Sequence, residues 1–470
     1  MSSVQPEQTE LLVIGAGPGG YVAAIRAAQN GLDVTLADAD AVGGTCLNYG
    51  CIPSKALISA TDRVHQAGVA SEMGIYSDPY VDIAELAAWK DGVVDRLTSG
   101  VEGLCKQNDV SLIKGHVTFE TECTARAETA DGTLEIEFEN AIIATGSRPM
   151  TLDGFDVDDG PILDSRQALE LSTVPSKLVV VGGGYIGMEL GTVFRKLGAE
   201  VTVVEMLDQV LPGYDAELAA AVEQRADELG IELRFGQAVK DWEHDGEHVS
   251  LTAVDADENE YEYDCEAVLV AVGREPVTDS LGLDSLEVEL TEQGVVPTDS
   301  TGKTPCEGIY AVGDVAGEPM LAHKASMEGM VAADAVAGMD VTREGRSIPA
   351  VVFTDPEVAT VGLSATEARE RGFDPVTGRF PLSANGRALS LDTDEGFVRL
   401  VAAADSGRLL GAAIVGPEAS ELIAEPTLAI QNGLTIADIA DTVHAHPTLS
   451  EAVMESAEDV FGTPIHWPGT

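Results

Sequence analysis

Leu11–Asp38 reads LLVIGAGPGGYVAAIRAAQNGLDVTLAD. It is an apolar run, a glycine-rich turn, small and apolar residues at helical spacing, a glycine, and a second apolar run ending in an acid. That order spells a strand, a crossover helix and a parallel strand, a βαβ unit. Gly15 permits the tight turn, Gly17 lets a pyrophosphate approach the backbone, and Gly20 lets helix and strand pack closely. The free N–H groups of the helix N-terminus then face the phosphates. Asp38 lies 18 residues after Gly20, at the end of the second strand, where it can accept hydrogen bonds from a ribose.

The pattern recurs about 165 residues on, as KLVVVGGGYIGMELGTVFRKLGAEVTVVE from Lys177 to Glu205, with Gly182, Gly184 and Gly187 in the turn and Glu205 at the matching distance. A lone glycine motif is also what a flexible turn looks like. Two copies, each with strand, helix and acid in place, predict two dinucleotide-binding units. An acid at Glu205 favours the free 2′-hydroxyl of NAD over the 2′-phosphate of NADP, and no Lys or Arg stands between Met206 and Gln224 to compensate.

Outward from these units, the segment from Glu120 to Glu139 alternates like antiparallel strands. NAIIATGSRP returns to a buried strand at Ile142 to Thr145, AVLVAVGREP closes the second unit near Gly273, and GIYAVGDV adds a strand ending at Gly313-Asp314. From about Ala350 the pattern becomes that of an antiparallel α+β domain. The predicted class is α/β: two Rossmann-like domains and a C-terminal α+β dimerisation domain. The expected division is 1–150 (first dinucleotide domain), 151–278 (second), 279–349 (a segment completing the first) and 350–470 (interface domain). No low-complexity linker separates them, so packed domains are expected.

Composition narrows the function. The 470 residues, 44% hydrophobic, are enough for two to four domains with cores. No apolar run approaches membrane-spanning length, and the opening MSSVQPEQTE does not read as an export signal, so a cytoplasmic protein is expected. Against 27 basic residues stand 80 acidic ones, a formal net charge of −53, which repels nucleic acid and anionic membranes. A charge this extreme reads as adaptation to molar salt, where the Debye length falls to about 3 Å and self-repulsion is relieved.

Six cysteines are too few for a disulfide scaffold in a chain of this length. Cys105, Cys123, Cys265 and Cys306 stand alone, whereas GGTCLNYGCIPSKALISA brings Cys46 and Cys51 together. A helical pattern with Pro53 in its first turn follows directly, so Cys51 sits near a helix N-terminus, where the dipole favours its thiolate. A structural disulfide and two inert thiols are the alternatives. A zinc site lacks a second Cys or His pair at ligand spacing. Lys55, four residues after Cys51, shares its helical face, and taken alone it reads first as a solvated surface charge.

At the C-terminal end, HAHPTLSE gathers His444, His446 and Glu451. A histidine can take a thiol proton near neutrality, and a carboxylate beyond it fixes the tautomer. Two neighbouring histidines leave the choice of base open on the residues alone.

GGTCLNYGCIPSKAL resembles the redox-active segment of the flavoprotein disulfide reductases, and the likeness runs through Ala144-Thr145-Gly146, the second glycine motif and GIYAVGDV to HAHPTLSE. Within that family the dihydrolipoamide dehydrogenases are the most similar branch. The resemblance implies that the first motif holds FAD, with Gly44, Thr45, Thr145, Gly146 and Asp314, and that the second holds NAD, with Gly273 beyond it. It implies that Lys55 lies near the flavin and pairs with Glu189. It also implies that His446 and Glu451 are the acid–base pair, supplied by the partner chain of a homodimer, with His444 either supporting that pair or structural. In the implied cycle a dihydrolipoyl thiolate attacks Cys46 of a Cys46–Cys51 disulfide, and Cys51 passes electrons to FAD and on to NAD. Lipoyl-bearing proteins of 2-oxoacid dehydrogenase or glycine-cleavage complexes are the implied partners.

Rivals within the family fit less well. Mercuric reductase would carry a C-terminal cysteine pair, but the last cysteine is Cys306. Glutathione reductase prefers NADP, against Glu205, and a soluble transhydrogenase should lack the cysteine pair. A non-catalytic flavoprotein subunit, or reduction of another disulfide, remains the alternative.

Overall fold

The computed structural model describes residues 7–157, 160–170, 172–246 and 248–469, so the first six residues of the opening MSSVQPEQTE lie outside it. The first βαβ unit forms as its pattern predicts: β1 (Glu7–Ile14), α1 (Pro18–Gln29) and β2 (Val34–Asp38). β1 pairs in parallel with β2, and Leu11, Leu12 and Val13 are fully buried because both faces of a parallel sheet are covered. Each such side chain contributes about 1.5–3 kcal/mol by leaving water.

After β2 come the short α2 (Gly44–Tyr49), α3 (Cys51–Val69) and α4 (Ile83–Gln107). The stretch 120–139, read as alternating strands, holds β4 (Thr124–Thr129) and most of β5 (Gly132–Ile143), and a further strand, β3 (Ser111–Thr121), precedes it. Ser111–Lys114 pairs in parallel with β2, and the remainder of β3 turns antiparallel to β4. β5 does the reverse, leaving β4 to run parallel to β1. The antiparallel ribbon is therefore an outgrowth of the parallel sheet. The strand expected to reach Thr145 stops at Ile143, so Ala144, Thr145 and Gly146 form the turn beyond it. The short strand Ile309–Ala311 closes the sheet, parallel to β5.

The second unit repeats the plan. α5 (Ser165–Glu170) precedes the strand Lys177–Val181, α6 (Tyr185–Lys196), the strand Glu200–Val204 and α7 (Ala216–Leu229). Its five parallel strands lie in the order 232–234, 200–204, 177–181, 267–270, 162–163. A two-stranded ribbon, Ser147–Pro149 against Arg274–Pro276, ties the two units. α8 (Ala322–Val336) packs on α1, where Gly329 lets the helices touch: a Cβ there would stand 2.3 Å from the Gly19 carbonyl oxygen.

The last unit is a five-stranded antiparallel sheet in the order 350–352, 357–362, 409–416, 397–403, 375–381. The terminal helix Glu451–Val460 lies on it and buries Ala452, Val453 and Ala457. The units are packed together, as expected. Lys196 of α6, only 3% exposed, pairs with Asp62 of α3 at 2.6 Å and with Asp355 of the last unit at 2.8 Å.

Candidate active site

The two glycine turns differ in what their glycines do. Gly15 (φ +99°) and Gly182 (φ +103°) hold backbone that other residues resist. A Cβ on Gly20 would fall 1.7 Å from the Gly15 carbonyl oxygen, and one on Gly187 2.1 Å from that of Gly182, so both serve helix–strand contact. Gly17 and Gly184 cap the N-termini of α1 and α6, and protein atoms do not crowd them: a Cβ on Gly17 would meet only Gly44 Cα at 4.0 Å, and one on Gly184 nothing within 4 Å. Two bare helix N-termini with this geometry fit the diphosphates of FAD and NAD. Gly44 (φ +56°) crosses over the first turn, where its own Cβ would stand 2.6 Å from Gly17 Cα. Thr45 follows it in α2.

Asp38 ends β2 and Glu205 follows the last residue of its strand, Val204, and both brace their own turns. Asp38 accepts the Ala16 N–H at 2.5 Å, and burial pushes its carboxyl above the usual range against that bond and the Asp40 N–H. Glu205 accepts from Gly183 N–H at 2.6 Å and from Leu207 N–H at 2.8 Å.

The cysteines occupy consecutive helices. Cys46 lies within α2, and Cys51 is the first residue of α3, with only Gly50 between the helices. A Cβ on Gly50 would stand 2.9 Å from the Thr45 carbonyl oxygen, so a glycine is what folds one helix end back on the other. The two thiols hydrogen-bond each other, with opposite effects. That bond, aided by the Lys55 ammonium and opposed by burial, lowers Cys51 to about 7. The same bond, with burial behind it, holds Cys46 well above the ordinary thiol range. The dithiol is thus a thiolate at Cys51 with Cys46 as its donor, an unequal pair.

Lys55 Nζ meets Glu189 Oε2 at 2.8 Å and lies 4.5 Å from the Phe353 ring centre. Glu189 is buried in α6, and its second oxygen accepts the Phe353 N–H at 2.8 Å. All three units of the chain therefore meet at one carboxylate. Asp314 Oδ2 accepts from Ser147 Oγ at 2.5 Å, and Ser147 Oγ accepts from Arg274 Nε at 2.8 Å. Thr145 Oγ1 donates to the Val277 carbonyl at 2.6 Å, and Gly146 (φ +71°) accepts the Val277 N–H at 3.0 Å. Gly273 (φ +136°) accepts the Met150 N–H at 3.0 Å. These contacts close the ribbon between the units.

His446 Nδ1 bonds Glu451 Oε1 at 2.9 Å, leaving Nε2 directed outward on a ring that is 76% exposed. Burial opposes ionisation of Glu451, but the Thr448 N–H and His446 outweigh it and hold the carboxyl below its usual range. His444 is the opposite case: buried, its Nδ1 on the Thr442 carbonyl at 2.8 Å and its Nε2 on Glu425 at 3.0 Å, with neither nitrogen free for a substrate. That leaves His446 as the candidate base. Within one chain the structure does not unite the two halves. Among the described residues no hydrogen bond or ion pair joins His446 or Glu451 to Cys46, Cys51, Lys55 or Glu189.

Sequence reasoning missed Ser147, Arg274 and Phe353, which act through nonlocal contacts that carry no local signal. It also missed Lys324 and Glu328, both buried in α8. Their signal was present: an i,i+4 charge pair in a helix otherwise rich in Ala.

Residues 9–329 match the family model described as pyridine nucleotide-disulphide oxidoreductase, and residues 348–457 match that family's dimerisation domain. Over 461 residues the chain is 58% identical to dihydrolipoyl dehydrogenase 2 of Haloarcula marismortui, covering 97% of this chain and 98% of that one. It is 56% identical to the dihydrolipoyl dehydrogenase of Halobacterium salinarum, covering 97% of each, and 46% identical to that of Bacillus subtilis, covering 98% of each. Among solved structures, LpdA from Mycobacterium tuberculosis superposes with a TM-score of 0.89 at 30% identity, covering 96% of this chain and 99% of that one. The predicted fold class stands, and the chain belongs to the pyridine nucleotide-disulphide oxidoreductase family.

Proposed function

We propose that this protein is a dihydrolipoyl dehydrogenase, an FAD-dependent enzyme that oxidises dihydrolipoyl groups and reduces NAD+ to NADH. The observation that carries the reading is the unequal thiol pair, Cys51 lowered to about 7 and Cys46 raised, beside the Lys55–Glu189 ion pair. The substrate comes from the relatives, which bear that enzyme's name over nearly their whole length.

The chain's own residues divide the work as follows. In the oxidised state Cys46 and Cys51 are joined as a disulfide. His446, oriented by Glu451, takes a proton from one substrate thiol, and the thiolate attacks Cys46 Sγ. The S–S bond breaks and Cys51 leaves as a thiolate, stabilised by the Lys55 ammonium and the α3 N-terminus. The second substrate thiol closes the lipoyl disulfide and releases Cys46, so two electrons now reside on the protein dithiol. Bound FAD supplies the two-electron route from Cys51 to the nicotinamide of NAD+. One of the two substrate protons travels with the electron pair and the other is released through His446. Asp314, Thr145, Gly146, Gly44 and Asp38 would hold the FAD, and Glu205, Gly182, Gly184 and Gly273 the NAD.

The reading includes a homodimer in which His446 and Glu451 of one chain complete the dithiol site of the other. It includes lipoyl-bearing 2-oxoacid dehydrogenase or glycine-cleavage proteins as partners, a cytoplasmic setting, and the division 1–150, 151–278, 279–349 and 350–470. Among the described residues no helix is long and apolar enough to cross a membrane. The test is NAD+ reduction by dihydrolipoamide in molar KCl, with NADP+ and glutathione as comparisons. Turnover confined to dihydrolipoamide and NAD+ is expected. Reduction of the flavin by NADH without dihydrolipoamide turnover would overturn the substrate.

A further inference from the structure

The turn that presents Asp314 is held from behind by charges the mechanism does not use. Gly313–Ala316 is a single 3-10 turn followed by Gly317. Lys324, 3% exposed, donates from Nζ to the Gly313 carbonyl at 3.0 Å and to the Gly317 carbonyl at 2.7 Å, one at each end of the turn. Glu328, one helical turn further along α8 and 4% exposed, accepts the Gly313 N–H at 2.8 Å. It also pairs with Lys324 at 3.1 Å and with Arg343 Nη1 at 2.6 Å. Arg343 is anchored in turn, its Nη2 on Thr298 Oγ1 at 3.1 Å and its N–H on the Ser300 carbonyl at 3.0 Å.

Buried charges are retained at a desolvation cost, and packing alone would be served as well by apolar side chains. Here their polar atoms are spent on one turn. The Gly313 N–H and the Gly317 carbonyl, which the turn's own i→i+3 bonds leave open, and the Gly313 carbonyl as well, are bound by two ionised side chains with charge-assisted bonds. The turn is also fixed through Asp314 Oδ2 on Ser147 Oγ, which is itself held by Arg274, and through the Val315 carbonyl, which accepts the Val296 N–H at 2.9 Å. The trio carries two cations to one anion, in a chain whose formal net charge is −53.

We propose that Lys324, locked by Glu328 and Arg343, is a positioning residue for the cofactor site. It fixes the turn 313–317 so that Asp314 is presented in binding geometry before the cofactor arrives, and it sets positive charge behind that carboxylate. The proposal rests on the reading of the first glycine unit as an FAD site. Preorganisation of this kind is read in affinity, because a turn that must order on binding lowers it.

The test is titration of flavin-free protein with FAD, in molar KCl, for the wild type, Lys324→Met, Arg343→Gln and Lys90→Met. Lys90 is the control: a lysine just as buried, bonded to the Leu169 carbonyl at 3.0 Å and to Asp91, and remote from the turn. Lys324→Met is expected to weaken FAD binding ~30-fold, and Arg343→Gln, which leaves the Lys324–Glu328 pair intact, ~3-fold. Lys90→Met should bind FAD as the wild type does. In Lys324→Met the midpoint potential of the bound flavin should also move negative, a change that general loosening of the fold would not produce. Wild-type affinity in both Lys324→Met and Arg343→Gln, or equal weakening in Lys90→Met, would overturn the proposal. If Lys324→Met does not fold, Arg343→Gln against Lys90→Met decides it. A wild type that takes up no FAD would contradict the flavin-site reading itself, a result distinct from all of these.

Discussion

Lys55 and Glu189, 134 positions apart and on helices of the two dinucleotide-binding domains, meet at 2.8 Å one helical turn from Cys51. Glu189 is also where the last unit touches the site, through the Phe353 N–H. The pair therefore fixes the α3 N-terminus against the second dinucleotide unit while setting the charge beside the reactive thiol. Lys55→Met should raise the Cys51 pKa by ~1 unit from its lowered value, because the cation that favours the thiolate is gone. Ultraviolet absorbance of the thiolate, followed against pH in the reduced protein, reads this directly. An unchanged titration would mean the thiol pair alone sets the value.

The inequality of the thiols makes a second prediction. With Cys51 at about 7 and Cys46 far above, iodoacetamide should label Cys51 first in the reduced protein. The sign is fixed: below pH 7 Cys51 is a thiol and reacts slowly, and the rate climbs through pH 7 as the thiolate forms. Peptide mapping that found Cys46 labelled first would mean that access from the substrate side, and not thiolate character, sets the order of reaction.

Gly20 tests the first cradle. A Cβ there would fall 1.7 Å from a backbone carbonyl oxygen, with no flexible neighbour to yield. Gly20→Ala should destabilise the protein by ~3 kcal/mol or more and release FAD in size-exclusion buffer. Gly31→Ala is the contrast: its φ of +94° strains the backbone but nothing crowds the site, so flavin should be retained.

The surface charge should show itself in stability. With 80 acidic residues against 27 basic, self-repulsion dominates in dilute buffer and is screened in molar salt. Thermal unfolding should shift upward by roughly 10 °C or more between dilute buffer and molar KCl. Equal melting temperatures would remove the case for salt adaptation.

Much of this was legible in the sequence because it is local. The glycine turns, their strands and acids, and the Cys46–Cys51 segment are each encoded within about thirty residues, the length of a βαβ unit. The His446–Glu451 bond lies within one such stretch as well, and the structure adds what removes His444 from contention: both its nitrogens are engaged. Illegible were contacts that only the closed fold creates. Nothing near Ser147 announces Asp314, and nothing near Phe353 announces Glu189. β4 and most of β5 were read as strands, but β3 was not, and the ribbon's continuity with the parallel sheet depends on each long strand changing partners midway. Lys324 and Glu328 were passed over because the turn they grip exists only in the closed fold.

The proposed function requires that the reacting site be assembled from Cys46 and Cys51 of one chain and His446 of another. It is tested most directly by mixing two inactive homodimers, Cys46→Ser and His446→Gln, under conditions that exchange subunits, and measuring dihydrolipoamide-dependent NAD+ reduction. Each mixed dimer then holds one intact site, so random pairing should restore roughly a quarter of wild-type activity. No recovery, with exchange verified, would place the base on the same chain as its thiols and contradict the account.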